Sequence, residues 1–150
     1  HRALGDASSR SSGSVVKRRY EVNPADDPRR PELVGKLPLE KIRRELGAAV
    51  EETQVVVVSG GTGSGKTTKL PQFLLDDWRP AVPFDPAVTD VPSIIVTQPR
   101  RIAAVSVAER VAWERGQKVG VSIGYSVRGS AVRPTSAQGT IEFVTIGTLL

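Results

Sequence analysis

Apolar residues recur at helical spacing in two long segments of the chain. After Pro38, which suits the first turn of a helix, apolar side chains lie at offsets 0, 3, 7, 10 and 11 from Leu39 and predict an amphipathic helix: Leu39, Ile42, Leu46, Ala49 and Val50. A second helix is predicted over residues 101–115, with Gly116 as its C-terminal stop. Its core-facing side chains should be Ile102, Val105, Ala108, Val111 and Ala112.

Four short apolar segments predict β-strands. The first contains four valines and should be buried on both faces; the segments are residues 54–59, 94–97, 123–127 and 140–145. A helix over residues 66–77 follows the first strand, and Pro71 should loosen or kink it. Strands that alternate with helices are typical of an α/β protein with a parallel sheet. A further helix should be starting where the chain ends, at Leu149 and Leu150.

The limits of this pattern indicate one domain and a tail. Residues 1–35 are rich in Ser, Arg and Pro and predict a disordered tail, whereas residues 36–150 carry the predicted elements. Residues 79–92 contain four prolines and predict a surface loop. The chain of 150 residues begins with His rather than Met, and we interpret it as a piece of a longer protein.

Composition excludes several classes of function. The chain has no Cys, so it cannot form a disulfide framework, a thiolate metal site or a thiol nucleophile. Its single His is the first residue, which argues against a histidine-based zinc site or a Ser-His-Asp triad. No uninterrupted apolar stretch is longer than four residues, the length of the stretch at residues 55–58, so neither a transmembrane span nor a membrane partner is predicted. No secretory signal is visible.

The net charge of +5 is spread unevenly along the chain. Residues 91–150 carry seven Lys or Arg against three Asp or Glu, a net charge of +4. This excess is compatible with a polyanionic partner, and an ordinary solvated surface is an equal alternative. In the tail, Lys17, Arg18 and Arg19 form a basic run that could contact nucleic acid, although such runs are mostly just solvated.

Residues 60–67 read GGTGSGKT and fit the phosphate-binding P-loop pattern G-x-x-x-x-G-K-[ST]. Glycines let backbone N–H groups surround a phosphate, and the following helix points its positive N-terminus at the same charge. Lys66 would then reach the β- and γ-phosphates, and Thr67 would ligate Mg²⁺. A Gly-rich hairpin turn is the alternative, but the strand before the loop and the helix after it favour nucleotide binding. The loop alone does not name a reaction.

Four motifs extend this match to a particular family. Residues 59–75 read SGGTGSGKTTKLPQFLL, residues 97–110 read TQPRRIAAVSVAER, residues 124–128 read GYSVR and residues 143–150 read FVTIGTLL. In this order and at this spacing they resemble the motifs of the DEAH-box (DEAH/RHA) ATP-dependent RNA helicases. The resemblance implies a P-loop NTPase fold of the RecA-like type, with a parallel sheet flanked by helices. Residues 36–150 would be part of the first RecA-like lobe, truncated before that lobe is complete.

The resemblance also implies a site. ATP would be held by Gly60, Gly61, Thr62, Gly63, Ser64, Gly65, Lys66, Thr67 and Thr68, with Lys66 and Thr67 catalytic and Thr67 the Mg²⁺ ligand. Arg110 would stack on the adenine, as a planar guanidinium can, and a surface arginine is its alternative. The RNA backbone would be contacted by Arg100, Arg101, Arg128 and Thr145. For Arg100 and Arg101, the alternative is that they are ordinary surface charges. The helix dipole disfavours cations at a helix N-terminus, which argues against this alternative.

The chain departs from the usual family motifs at three positions. Gly61 replaces Glu, Lys69 replaces Gln or Arg, and Ile146 replaces a small or polar residue, which bears on the fine RNA contacts at that point. The DEAH tetrad, the Ser-Ala-Thr motif and a second lobe with its arginine fingers are not in this sequence. The carboxylates that hydrolysis needs are therefore missing from it.

The patterns together predict the N-terminal part of an intracellular ATP-dependent RNA helicase, in the nucleus or the cytoplasm. In the intact parent, hydrolysis would drive movement along single-stranded RNA, and an activating protein partner is compatible with this reading. One alternative is another P-loop enzyme, such as a kinase or a transporter ATPase, although those lack TQPRR followed by GYSVR. The other is a truncated, binding-only remnant that binds nucleotide or RNA without turnover. By itself the chain should show no ATPase activity.

Overall fold

The computed structural model describes residues 37–78 and 91–149. The tail predicted for residues 1–35 and most of the loop predicted for residues 79–92 lie outside the described residues. A 3-10 turn at Pro38–Ile42 leads into the helices, which are α1 (Arg43–Glu52), α2 (Lys66–Asp76), α3 (Arg101–Glu114) and α4 (Ile146–Leu149). The strands are β1 (Ser93–Gln98), β2 (Ile123–Val127), β3 (Ser130–Val132) and β4 (Thr140–Thr145).

The four strands form one sheet in the order β1-β4-β2-β3. Strand β4 pairs in parallel with β1 on one side and with β2 on the other, so that Phe143 lies between Val96 and Tyr125. Strand β3 returns antiparallel to β2 and was not predicted, because its three residues are all exposed and carry no apolar alternation. The parallel arrangement of the other three brings the carboxyl ends of β1, β4 and β2 to one edge of the sheet.

The core lies between α3 and the sheet. Small side chains of α3, among them Ala104 and Ala108, are fully buried in one cluster with Ile123, Ile141 and Phe143 of the parallel strands. Alanine lets the helix approach the sheet closely, while the larger strand residues fill the space between them. This packing fixes the position of α3 relative to the strands. It therefore also fixes the charged residues at the two ends of the helix, Arg101 and Glu114.

The predicted core face of α3 is correct for Ala108, Val111 and Ala112 and wrong for Ile102. The Ile102 side chain is 82% exposed. The inward stripe runs through Ala104 instead, four residues before Ala108, and Ile102 lies on the opposite side of the first helical turn. A helix with apolar residues on several faces gives no periodicity that chooses between these stripes.

The prediction of a buried strand at residues 54–59 is wrong for the part of the chain that the structure describes. These residues take no hydrogen-bonded partner strand, and Val55 and Val57 are 79% and 89% exposed. Four consecutive β-branched residues favour extended backbone, but a strand is buried only when a neighbouring strand and helices cover it. The described sheet supplies no such neighbour to this segment.

The helix ends follow local chemistry. Gly116 adopts a φ of 69° just after α3; its N–H bonds Trp113 O and the Gln117 N–H bonds Ala112 O, each at 3.0 Å, which is the predicted C-terminal stop. In α2 the helix continues through Pro71 to Asp76. Helix α4 starts directly after β4, as predicted for the end of the chain.

Candidate nucleotide site and basic edge

The glycine-rich loop enters α2 through left-handed backbone positions. Gly63 has a φ of 79° and Gly65 a φ of 95°, which residues with a side chain rarely adopt. At Gly65, the residue just before α2, a Cβ atom would also lie 2.8 Å from Cδ1 of Leu37. The backbone turn therefore favours glycine at this position, and a side chain there would also displace the tip of Leu37.

The ammonium group of Lys66 lies within the curve of the loop. Its Nζ donates to the carbonyl oxygens of Gly60 at 2.5 Å and Gly61 at 2.8 Å, and to Oγ of Ser64 at 3.2 Å. The first turn of α2, whose backbone N–H groups carry partial positive charge, begins at the same residue. A cation beside a helix N-terminus favours an anion with several oxygens, such as a phosphate chain.

All nine loop residues predicted to hold nucleotide line two pockets that share residues 62–64. The smaller pocket, of about 400 Å³, takes residues 59–64 and the 3-10 turn before α1. The larger, of about 650 Å³, takes residues 62–68 on one side and Arg110 of α3 on the other. A volume of this size is typical of small-molecule sites. The fold thus brings Arg110 to the same pocket as the loop.

A buried carboxylate joins the two helices behind this pocket. The Glu114 side chain is 4% exposed; its Oε1 accepts from Nε of Arg110 at 2.8 Å, and its Oε2 lies 3.1 Å from Nζ of Lys69. Gln72 Nε2 donates to the same Oε2 at 2.9 Å. The guanidinium of Arg110 also covers the ring of Trp113, 5.0 Å from its centroid. One side chain of α3 is therefore held by two side chains of α2.

The pKa of Glu114 reflects these partners. Burial by itself raises the pKa of this carboxyl, but hydrogen bonds from its three partners and the charge of Lys69 outweigh the burial, so its pKa lies below the usual range. The carboxylate is therefore ionised at neutral pH. Glu114 and its two cationic neighbours, Arg110 and Lys69, together carry a net positive charge.

The arginines predicted to contact RNA gather at the carboxyl edge of the sheet. Arg100 precedes α3 and Arg101 opens it, directly after β1, and Arg128 lies in the tight turn between β2 and β3. Nη1 of Arg101 donates to the backbone O of Arg128 at 3.0 Å. The fold thus places three exposed cations from distant parts of the chain at one edge.

Thr145 ends β4 at the same edge but differs from these arginines in exposure. It pairs in register with Gln98 of β1, its side chain is buried, and its Oγ1 lies 2.8 Å from Oγ1 of Thr148 in α4. Ile146, the next residue, is 58% exposed. At this point the sheet edge therefore presents an apolar side chain to solvent, while the threonine hydroxyl is engaged within the chain.

Comparison with known proteins assigns the family. No protein-family model matches the chain. It is 45% identical over 83% of its length to the DExH-box ATP-dependent RNA helicase DExH3 of Arabidopsis thaliana and 42% identical over 79% to DExH2 of the same plant. It is 45% identical over 76% of its length to Homo sapiens DHX57, named as a candidate ATP-dependent RNA helicase. The chain belongs to the DEAH/DExH-box helicase family. It spans 7–10% of the length of these relatives.

Within this family assignment, sequence reasoning recognised the loop but missed the residues behind it. Lys69 was noted only as a departure from the usual helicase motif, and Glu114 and Gln72 were given no role. The i,i+4 spacing of Arg110 and Glu114 is visible in the sequence and could have indicated their ion pair. The partnership of Glu114 with α2 has no sequence signal, because it depends on how the two helices pack.

In the described ranges, 37–78 and 91–149, no helix is long and apolar enough to span a bilayer.

Proposed function

We propose that residues 36–150 form the ATP-binding part of the first RecA-like lobe of an ATP-dependent RNA helicase. The observation that carries this proposal is the P-loop with Lys66 at its centre, in a chain whose relatives are named as such helicases. The mostly parallel sheet with flanking helices is compatible with it, because nucleotide-binding α/β proteins are built on such sheets.

The residues present fit the phosphates of ATP. A Cβ atom at Gly60 would lie 3.2 Å from Oγ of Ser64 and 3.7 Å from Nζ of Lys66, so a side chain at this position would crowd the inside of the loop. Lys66 would exchange its loop carbonyl acceptors for phosphate oxygens, which form stronger, charge-assisted hydrogen bonds. Bound ATP supplies the phosphoanhydride bond, and the loop's part is to bind and orient it.

Thr67 is the residue of this chain that we propose as a Mg²⁺ ligand. Its side chain is exposed in the first turn of α2, beside Lys66. No group of three or more acidic or His side chains that could hold a metal lies within the described residues. That arrangement suits Mg²⁺, which usually takes one or two protein ligands and completes its shell with phosphate oxygens and water.

Binding without turnover is the activity that we propose for the chain by itself. The single carboxylate lining the larger pocket, in the part of the chain that the structure describes, is Glu114, and it is held by three partners. A carboxylate committed in this way is not positioned to activate water. Hydrolysis and movement on RNA are proposed for the whole protein, with the exposed Arg100, Arg101 and Arg128 as backbone contacts. Thr145 is not included, because its side chain is buried and its hydroxyl hydrogen-bonds with that of Thr148.

The test is the removal of the loop cation. In the full-length gene product, Lys66→Ala should lower RNA-stimulated ATP hydrolysis more than tenfold, because the developing phosphate charge loses its main side-chain cation. Lys41→Ala, at an exposed site on the 3-10 turn, is the matched control and should leave turnover unchanged. Turnover above about a tenth of the unaltered rate, a loss under about 1.4 kcal/mol, would contradict the role of Lys66.

A further inference from the structure

The buried carboxylate behind the pocket has a consequence for nucleotide recognition. We propose that Lys69, acting through Glu114, positions Arg110 against the base of the bound nucleotide, so that Lys69 and Glu114 are positioning residues for base recognition. This inference rests on the proposed function. It concerns Lys69, one helical turn beyond the start of α2, and Glu114 at the end of α3, both outside the phosphate-binding loop.

The geometry of Glu114 supports this relay. Its two oxygens serve different helices: Oε1 accepts from Arg110 of its own helix, while Oε2 is held by Lys69 and Gln72 of α2. Anchoring one oxygen of a carboxylate fixes its rotation and therefore the position of the other oxygen. The location of the Arg110 guanidinium is thus set in part from α2, the helix that carries the phosphate loop.

Arg110 is placed to receive a planar partner. One face of its guanidinium covers the buried Trp113, and its side chain is 32% exposed at the wall of the larger pocket. A planar cation stacks on aromatic faces, and its stacking is sensitive to orientation. Trp113 and Glu114 together hold the guanidinium at the pocket wall, and Glu114 is itself held by Lys69.

Lys69 supplies charge as well as a hydrogen bond. The Lys69 and Glu114 side chains are 7% and 4% exposed, so each charge depends on the other in a poorly solvated place. A neutral donor at position 69 would remove the cation that α2 places beside Glu114. With Lys69 present, a cation of α2 balances the charge of Glu114. The Arg110 guanidinium can then stay at the pocket wall instead of moving toward the carboxylate.

Two ligands separate base recognition from phosphate binding. ATP carries both parts, whereas inorganic tripolyphosphate carries only the phosphate chain. If Lys69 positions Arg110, its removal lowers the affinity for ATP and spares that for tripolyphosphate, because the phosphates are held by Lys66 and the loop. A role confined to holding α2 against α3 would weaken both ligands alike.

The experiment uses isothermal titration of the full-length gene product with each ligand. Lys69→Met should lower ATP affinity about tenfold, the scale of a cation–π contact, and change tripolyphosphate affinity less than twofold. Glu114 keeps Arg110 as a charged partner in this variant. The neutral pair Lys69→Met with Glu114→Gln leaves no buried charge stranded and should show the same selective loss. If Lys69→Met does not fold, the affinities of this double variant for ATP and tripolyphosphate test the proposal.

Arg110→Ala places the effect on the intended residue. It should reproduce the selective loss, and adding Lys69→Met to it should cost no further ATP affinity, since both changes remove one contact. The matched control is an ion pair between Asp76 of α2 and Arg115, the residue that follows α3, at 2.8 Å. Asp76→Asn with Arg115→Gln should leave the ratio of ATP to tripolyphosphate affinity unchanged.

Several results would overturn the inference. They are an equal loss of both ligands in the Lys69 variants, no loss of ATP affinity, additive losses with Arg110→Ala, or the same selective loss in the control pair. Failure of the underlying function has a different signature. An unaltered protein that binds neither ATP nor tripolyphosphate would overturn the proposed nucleotide site, and this inference with it.

Discussion

Gly124, the first residue of the GYSVR motif, is needed for packing. A Cβ atom there would lie 2.5 Å from the carbonyl oxygen of Val132 and 2.7 Å from the backbone nitrogen of Pro134. Both are backbone atoms of the segment that returns from β3, so neither can move aside as a side-chain tip could. A glycine in a family motif can therefore be required by packing, here between the start of β2 and the backbone at the end of β3.

Gly124→Ala should destabilise the protein by about 1–3 kcal/mol, the usual cost of overpacking a filled site. Gly47→Ala is the matched control, because Gly47 lies inside α1 with no atom within 4 Å of its would-be Cβ. That substitution should stabilise by about 0.5–1 kcal/mol, since glycine disfavours a helix interior. Urea unfolding of both variants measures the change in the free energy of unfolding, which should be negative for Gly124→Ala and positive for Gly47→Ala. A neutral Gly124→Ala would show that the strand return is not closely packed.

At the scale of elements, charged pairs join α2 to the C-terminal end of α3 and to the residue that follows it. Lys69 and Glu114 form the buried pair near the pocket, and Arg115 with Asp76 forms a more exposed one. Removing one member of a buried pair typically costs about 3–5 kcal/mol, whereas exposed pairs contribute at most about 1 kcal/mol. The pair at Glu114 therefore dominates the electrostatic coupling of these helices.

The lowered pKa of Glu114 predicts an acid-sensitive contribution to stability. A carboxyl whose pKa is lower in the folded state stabilises the fold fully above its ordinary value of 4.5, and that contribution is lost as pH falls through the folded-state pKa. The unaltered protein should thus lose stability on acidification below this value more steeply than the pair Lys69→Met with Glu114→Gln.

The measurement is the free energy of unfolding by urea between neutral and acidic pH. Glu51→Gln, on an exposed part of α1, is the control and should follow the profile of the unaltered protein. Parallel profiles for the unaltered protein and the neutral pair would mean that Glu114 titrates alike in the folded and unfolded chains. The proposed compensation by Lys69 would then be absent.

At the scale of the molecule, the parallel sheet gathers cations that are far apart in the sequence. Arg101 follows β1 and Arg128 follows β2, and β4 lies between these strands, yet the two arginines are in hydrogen-bond contact. A long, flexible arginine on a helix N-terminus reaches across the strand ends to a turn. The basic excess of residues 91–150 is therefore partly concentrated at one edge of the sheet.

RNA binding by the full-length gene product should weaken as salt rises, with a slope of log K against log salt of about −0.7 for each phosphate neutralised on a single strand. Arg101→Ala with Arg128→Ala should make that slope shallower by about 1.4 and weaken homopolymers of different base to similar degrees. The control, Arg18→Ala with Arg19→Ala in the tail, should change the slope much less. If the tail pair carries the salt dependence, the edge arginines are structural.

The sequence by itself determined the local features of this protein. The P-loop, the strands β2 and β4, the start of α3 and its stop at Gly116 all follow from interactions between residues close along the chain, and four motifs in fixed order were enough to indicate the family. Glycine spacing and apolar periodicity are sufficient there because the competing conformations cost backbone strain or exposed apolar surface.

Only the tertiary structure decided which apolar and charged residues have partners. Val57 and Ile102 look like core residues in the sequence but are exposed, because burial depends on what packs against each face. Glu114 and Lys69 look like surface charges but are buried together, because α2 and α3 meet at those positions. Periodicity reports which side chains share a face, and the packing of distant elements decides what that face meets.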